Sequence, residues 1–565
     1  RELQKQISSI RDQLHQVHAD KGLPRSFELN LDPTQTLIIP PDPEALTIRA
    51  KVQNDPIHVL NVLTNTKEFF SRNDIVRKLA DYIDDPLKLG PAVDLVMRSD
   101  ELCEIDDTGT SDDSLQGKLH ASKRRNSKTY STRVFQKLKV EFMDEVLSLS
   151  KAKGTFVSEQ NINSAIESEN QKLQKDIGAN LSQEQETAIR RCLGSVRLVP
   201  IIGYAGAGKS TMLSAARHAW GKQGYNVIGA ALSGKAADGL EKASGIESHT
   251  IASLEKSWGS GYQRLTPNDV LVIDEAGMIG TRQLARVIKK VQNSGAKLVL
   301  VGDPEQLQPI NAGTPFRNIC NTLVPAQLTE IHRQQENWQR QASIDLAQLH
   351  TEKALQAYKV RGHLVETSNT AAAILSLVED YMIDLELHGN IKSRLALAHR
   401  RKDVHTINQA IRSAIKSSGE LADEVLFTTD HGKRAFAKGD RILFTKNDRS
   451  LGVRNGMLGT VVSINQDEIV ISPDERGVSS GKQRLVIDSK LYSAIEHGYA
   501  TTIHKSQGVT VDHTYVLGSS TMDEHLIYVA MTRHKDRLKF YCGPKMPLKA
   551  ISSMHNKAKN YRKYL

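Results

Sequence analysis

The stretch RLVPIIGYAGAGKSTML, residues 197–213, decides the fold. A short apolar run ends at Gly203, a glycine-rich turn follows, and Lys209-Ser210 opens a helical pattern. Strand, Gly203-x-x-x-x-Gly208-Lys209-Ser210 and helix, in that order, make a phosphate loop. Gly203, Gly206 and Gly208 let backbone N–H groups turn inward onto phosphate oxygens. Lys209 offers a point charge to the β and γ phosphates, Ser210 a hydroxyl to magnesium, and Thr211 sits beside it. The helix N-terminus adds its partial positive charge.

Working outward, apolar runs bounded by turn residues alternate with helical patterns: NVIGAAL, VLVIDEA, KLVLVGD, and later RLALAH and HTYVLG. That is the texture of parallel α/β sheets. Two such lobes are expected. VLVIDEAGM (270–278) ends a buried strand on Asp274-Glu275. There one carboxylate can hold the magnesium shell and the next can polarise an attacking water. VLVGDPEQLQPI (299–310) puts Asp303 and Gln306 at another strand's carboxyl end, facing the ligand crevice of such a sheet. Arg333 in LTEIHRQ and Arg533 in YVAMTRHK are placed to supply positive charge at the leaving phosphate, one from each lobe.

The chain has 565 residues, 39% hydrophobic and 25% charged, and no apolar run long enough for a membrane span, so no membrane partner is expected. Its net charge of +10 favours a polyanion. Cys103, Cys192, Cys320 and Cys542 lie far apart with no Cys-x-x-Cys pair, which suits a reducing cytoplasm and no zinc site. The first residue is Arg with no charged-then-apolar leader after it, so the chain reads as part of a longer protein.

The expected organisation is α/β, with two parallel-sheet domains, which the resemblance given below implies are RecA-like, a small β-barrel insertion in the second, and a mainly helical N-terminal region. Residues 1–56 read as a helix with a seam at Leu3, Ile7, Ile10, Leu14 and Val17, then an extended Pro- and Asp-rich linker over 25–56. Residues 57–178 read as a mainly helical, winged-helix-like domain, with Ser71 capping a helix and a polar loop over 106–132. The first α/β domain spans 179–340, the second 341–424 and 491–565, and the barrel 425–490. Residues 334–387 read as helical throughout.

LSQEQETAI, GYAGAGKST, LSGKAADGL, LVIDEAGM, GDPEQLQP, LTEIHRQ, YATTIHKSQGVT and YVAMTRHK stand in the order of the superfamily 1 DNA helicases of the RecD-like branch. Over about 181–545 the chain resembles the helicase part of TraA-type conjugative relaxases, relatives of TraI. The resemblance implies ATP and Mg2+ clamped between two lobes, with single-stranded or partly duplex DNA passing across their top in the 5′-to-3′ sense. It implies that Gln185 reads adenine and Gln507 and Gly508 couple the sites. Gln306, Arg333 and Arg533 would sense the γ-phosphate. Ser233, Lys235, His249, Thr250, Asn408, Thr502 and His504 would touch DNA, together with Asn447, Asn455 and Gly456 of an insertion that closes over the strand. The implied partners are a relaxase domain of the same longer chain and conjugation machinery proteins, in a bacterial cytoplasm. This chain departs from the relaxases in having no His-x-His cluster and no nicking-tyrosine context, so it is not expected to cut DNA. The segment before Asp269 leaves room only for a tiny strand-splitting pin, where Trp258 either stacks a base or packs. The rival reading is a non-unwinding DNA-binding or loading module.

Overall fold

The computed structural model describes residues 43–105 and 128–544, apart from positions 263, 390, 422, 431, 449, 475–483 and 489. The seam helix over 1–22 lies outside them.

Six parallel strands form the first sheet, in the spatial order Ser248–Thr250, Asn226–Ala231, Asp269–Ile273, Lys297–Gly302, Leu198–Gly203, Ala326–Leu328. Side chains alternate across a strand, so a strand covered on both faces is apolar throughout. Val199, Ile201, Val270, Val272, Val299 and Val301 build one core with the phosphate-loop helix Lys209–Gln223. Leu198, Leu271, Ile273, Leu298 and Leu300 build the other, with Thr281–Ser294. The second sheet has five parallel strands: Leu364–Glu366, His534–Cys542, Val511–Leu517, Arg394–Ala398 and Ala500–Thr502. Its first strand interrupts the stretch read as helical over 334–387. Three residues are too few to show a two-residue period.

Between Arg394–Ala398 and Ala500–Thr502 the chain leaves the second sheet. Val425–Thr429 and Gly432–Phe436 make an antiparallel hairpin. Five antiparallel strands follow in the order Leu485–Asp488, Glu468–Pro473, Leu458–Ile464, Arg441–Phe444, Ile495–His497. No pairing joins the two edge strands among the described residues, so closure into a barrel is not seen. The segment is tied to the helix Arg401–Ser417 through Asp440, which is fully buried. Its carboxylate accepts from Arg412 Nε and Nη2 at 3.0 Å each, from the Tyr499 hydroxyl at 2.7 Å and from the Ala437 N–H at 2.7 Å. Breaking a buried charge network leaves its partners uncompensated. Asp440→Ala is expected to cost about 3–5 kcal/mol, read from the urea midpoint at unchanged slope.

Compact units divide the chain between Lys137 and Leu138, inside the 57–178 segment read as one domain. The reason is packing. Phe142, Val146 and Leu149 join one core of the first sheet, and Val157, Ile162 and Ile166 the other. Described residues up to Lys137, with Glu379–Gly389, form their own unit. In it Ser71 caps Arg72–Ala80 in a reciprocal box with Asp74. A three-stranded antiparallel sheet runs Phe70–Ser71, Thr129–Thr132, Leu102–Ile105. Two expectations fail here. Pro43–Asn54, read as extended, is helical, with Val52 fully buried. Thr129–Thr132, read as the end of a loop, is a strand, because Tyr130, Ser131 and Thr132 are buried against its neighbours.

Candidate active site

The phosphate loop leaves the first sheet at Gly203 and enters its helix through Gly208, at φ 73°. Gly206, at φ 87°, lies so close to Arg333 that a β-carbon there would stand 2.5 Å from the arginine's own. At Gly208 a β-carbon would meet the Gln185 amide at 2.2 Å. Both positions therefore need glycine for backbone angle and for space. Lys209 Nζ donates to the Gly203 carbonyl at 2.9 Å, across the mouth of the loop, and Ser210 and Thr211 occupy the first helical turn.

Asp274 and Glu275 follow the buried strand Asp269–Ile273, and Glu275 holds a left-handed φ of 52°. Asp274 Oδ1 accepts the Glu275 N–H at 2.8 Å. Burial raises the Asp274 carboxyl to about 6, reinforced by Glu275 and opposed by Lys209. A cation is what such a pair would relieve. Asp303 is buried too. Its Oδ2 accepts from Gln306 Nε2 at 3.1 Å and its Oδ1 from the Glu305 N–H at 3.0 Å. Gln306 thus turns its acceptor end, a buried Oε1 with no protein partner, outward from that bond.

Arg333 and Arg533 arrive beside one another. Arg333 Nη1 donates to the Thr532 carbonyl at 2.6 Å, and the His332 N–H to the Gly206 carbonyl at 2.9 Å. Arg533, 2% exposed, donates through Nε to the Val529 carbonyl at 2.9 Å and through Nη2 to Thr532 Oγ1 at 3.1 Å. Burial first, then Arg533, pushes Arg333 down to about 9. Burial also lowers Arg533, against the pull of Glu275. Neither forms an ion pair among the described residues. Two guanidiniums, one half-buried and one buried, with no ion pair among the described residues and Arg333 packed on the phosphate loop, make a site for an anion.

Gln185 is committed locally. Its Oε1 accepts the Ser182 N–H at 2.9 Å in a capping box, and its Nε2 donates to the Gly208 carbonyl at 3.3 Å. Gln507 is the opposite case, with both amide atoms buried and unbonded, beside Gly508 at φ 73°.

Of the residues expected to touch DNA, Ser233, His249, Thr250, Thr502 and His504 stand at or just past the carboxyl ends of strands. Ser233 caps Gly234–Ser244 and Thr250 caps Ile251–Gly259. His249 lies 3.5 Å from the Glu247 carboxylate. Thr502 accepts the Lys505 N–H at 3.3 Å. His504 is exposed, its ring 5.9 Å from that of His399, a neighbour that sequence reading missed. Asn447 Oδ1 accepts the Asn455 N–H at 2.8 Å. Lys235 Nζ donates to the Gly456 carbonyl at 2.9 Å, and Arg454 pairs with Asp238, so the inserted segment reaches the first sheet's helix. Asn408 is 7% exposed, and its amide bonds both backbone groups of Ala500, at 3.0 and 2.8 Å, so it braces a strand. Trp258 is half-buried and packs on the first sheet's core.

A family model described as an AAA domain matches residues 180–369, and one for the viral superfamily 1 RNA helicase core domain matches 453–542. The conjugal transfer protein TraA of Rhizobium radiobacter is 39% identical over 495 residues, 87% of this chain and 43% of that protein. The ATP-dependent RecD2 DNA helicase of Deinococcus radiodurans is 27% identical over 67% of this chain and 51% of its own length. A Pif1 helicase structure from Bacteroides aligns with 68% of this chain and 98% of its own, at 20% identity and a TM-score of 0.44. Over these stretches the chain is similar to a superfamily 1 helicase core and to a RecD-type ATP-dependent DNA helicase. It is similar along most of its own length to the TraA conjugal transfer proteins, and it spans less than half the length of the TraA relatives it matches.

Proposed function

We propose that this chain is the motor of a conjugative transfer protein: an ATP-driven 5′-to-3′ translocase and helicase on single-stranded DNA, working in the bacterial cytoplasm with a relaxase domain of the same longer protein. The observation that carries the reading is the meeting of half-buried Arg333 and buried Arg533, neither in an ion pair among the described residues, with Arg333 packed on Gly206 of the phosphate loop. Residues 179–340 and 341–424 with 491–565 act as the two lobes, the inserted strands as a barrel-like cover over DNA, and the first unit as a winged-helix-like accessory.

In this reading Lys209 and the loop's N–H groups bind the β and γ phosphates. Ser210 and Asp274 would hold Mg2+, which neutralises phosphate charge when bound. Glu275 takes a proton from the attacking water, which Gln306 Oε1 orients by accepting from it. Arg333 and Arg533 offset charge on the leaving phosphate. Closing on ATP and opening on ADP moves the gripping groups Ser233, Thr250, Thr502 and His504 along the strand. Gln507 and Gly508 would couple those groups to the nucleotide. Contacts to backbone and base faces make the grip sequence-tolerant.

Duplexes with only a 5′ or only a 3′ single-stranded tail test this. Displacement from the 5′ tail alone is expected. Displacement from the 3′ tail alone refutes the polarity. DNA-stimulated hydrolysis without displacement from either tail favours a loading module. The Arg454–Asp238 contact is expected to slow release of DNA. Asp238→Ala should speed dissociation of a single strand about two- to fivefold, most visibly at low salt.

A further inference from the structure

The helix Glu524–Met531 carries a residue whose chemistry the reaction scheme above does not use. Tyr528 is fully buried, and a buried phenol needs partners for its hydroxyl. It has two, on different segments of the first sheet. The hydroxyl donates to Asp303 Oδ2 at 2.6 Å and accepts the Ala205 N–H of the phosphate loop at 3.1 Å. The same Asp303 oxygen accepts from Gln306 Nε2 at 3.1 Å. One directed chain therefore runs from the loop N–H through the phenol to the carboxylate, with the glutamine held on its far side.

The direction has a consequence. An ionised carboxylate only accepts, so the phenol must donate to it and Gln306 must present its Nε2. That leaves Gln306 Oε1 as the end available to the site. The ring is equally well placed. Tyr528 lies in the second sheet's core with Ile527 and Val529, and Ala205 and Leu307 of the first lobe join that same core. The following turn supplies Thr532, which holds both arginines, and then Arg533 itself.

We propose that the Tyr528 hydroxyl is a positioning group for hydrolysis. It fixes the arginine-bearing turn of the second lobe in register with the phosphate loop and with the orientation of Gln306. This rests on the ATPase reading above. Binding of ATP depends on Lys209, Ser210 and the loop, which lose only the Ala205 N–H bond when the hydroxyl is lost. The chemical step depends on the register.

Tyr528→Phe, which keeps the ring and its packing, tests the idea in the chain as it stands. DNA-stimulated kcat is expected to fall about ten- to a hundredfold, the size of a lost hydrogen bond to a charged acceptor, with the KM for ATP within about twofold of wild type. A merely structural hydroxyl would lower the melting temperature and leave kcat per folded molecule unchanged, and that result overturns the proposal. Asp303→Asn supplies the second arm. Because both groups act through one bond, the double variant is expected to be about as slow as the slower single one, whereas multiplied losses overturn the proposal. If Tyr528→Phe does not fold, Asp303→Asn alone must show the same split between kcat and KM. The wild-type protein separates the two readings. No ATP turnover with single-stranded DNA sinks the motor assignment and this inference together. Normal turnover in both wild type and Tyr528→Phe sinks the inference alone.

Discussion

Arg533→Ala is expected to lower DNA-stimulated ATP turnover by about a thousandfold or more while leaving the KM for ATP within a few fold. An arginine that meets phosphate charge as it develops is worth roughly 10³–10⁵ in rate. Arg533 suits that work in two ways. It is almost wholly desolvated, and its bonds go to the Val529 carbonyl and Thr532 Oγ1, so no carboxylate neutralises it. Its charge is thus held without an ion-paired carboxylate, with Glu275 and Asp303 acting on it only through space. Lysine should not replace it. An ammonium cannot keep the Nε and Nη2 bonds to Val529 and Thr532 while pointing a further donor at phosphate. Arg533→Lys is therefore expected to remain at least a hundredfold down. Steady-state hydrolysis with saturating single-stranded DNA decides it. Near-wild-type kcat in Arg533→Ala would remove this residue from the reaction and leave Arg333 to carry it.

Lys209→Ala is the second large effect. Turnover should fall by about 10²–10³ or more, the scale for losing a donor aimed at transition-state charge, and ATP affinity should fall with it. Nothing near the loop substitutes for the ammonium. Arg333 is tied to Thr532, and Gly203 leaves space that the Lys209 stem fills. Binding of a labelled single strand should stay within a few fold, because the groups expected to grip it stand on other strands. Equal loss of hydrolysis and DNA binding would mean that the variant has lost its fold. Unchanged hydrolysis would refute the nucleotide site.

Much of the first lobe was legible because its signals are local. The phosphate loop is one strand, one turn and one helix, written in 17 consecutive residues, and each glycine is demanded within that stretch. The apolar runs VLVI and KLVLV are unbroken because parallel strands are covered on both faces, which reads clearly in one dimension. Short or context-dependent elements were not legible. Leu364–Glu366 exists as a strand only because His534–Cys542 offers it an edge, some 170 residues away in the chain. Tyr130 reads as loop until the pairing of Phe70 and Glu104 with it is known.

The site divides along the same line. Residue types and their order were set by the sequence alone: a lysine and a hydroxyl on a phosphate loop, two carboxylates at a strand end, and an arginine after each lobe's core. Spacing along a strand or a helical turn is enough to place those, since it is dictated by backbone geometry. Only the tertiary structure decided what faces what. It put Arg333 and Arg533 side by side from positions 200 residues apart, hung Asp303 and Ala205 on one phenol, and turned Asn408 inward onto a strand. Those outcomes depend on burial and on which polar group finds a partner once water is excluded. Desolvation is a property of the packed molecule, and no local stretch of sequence contains it.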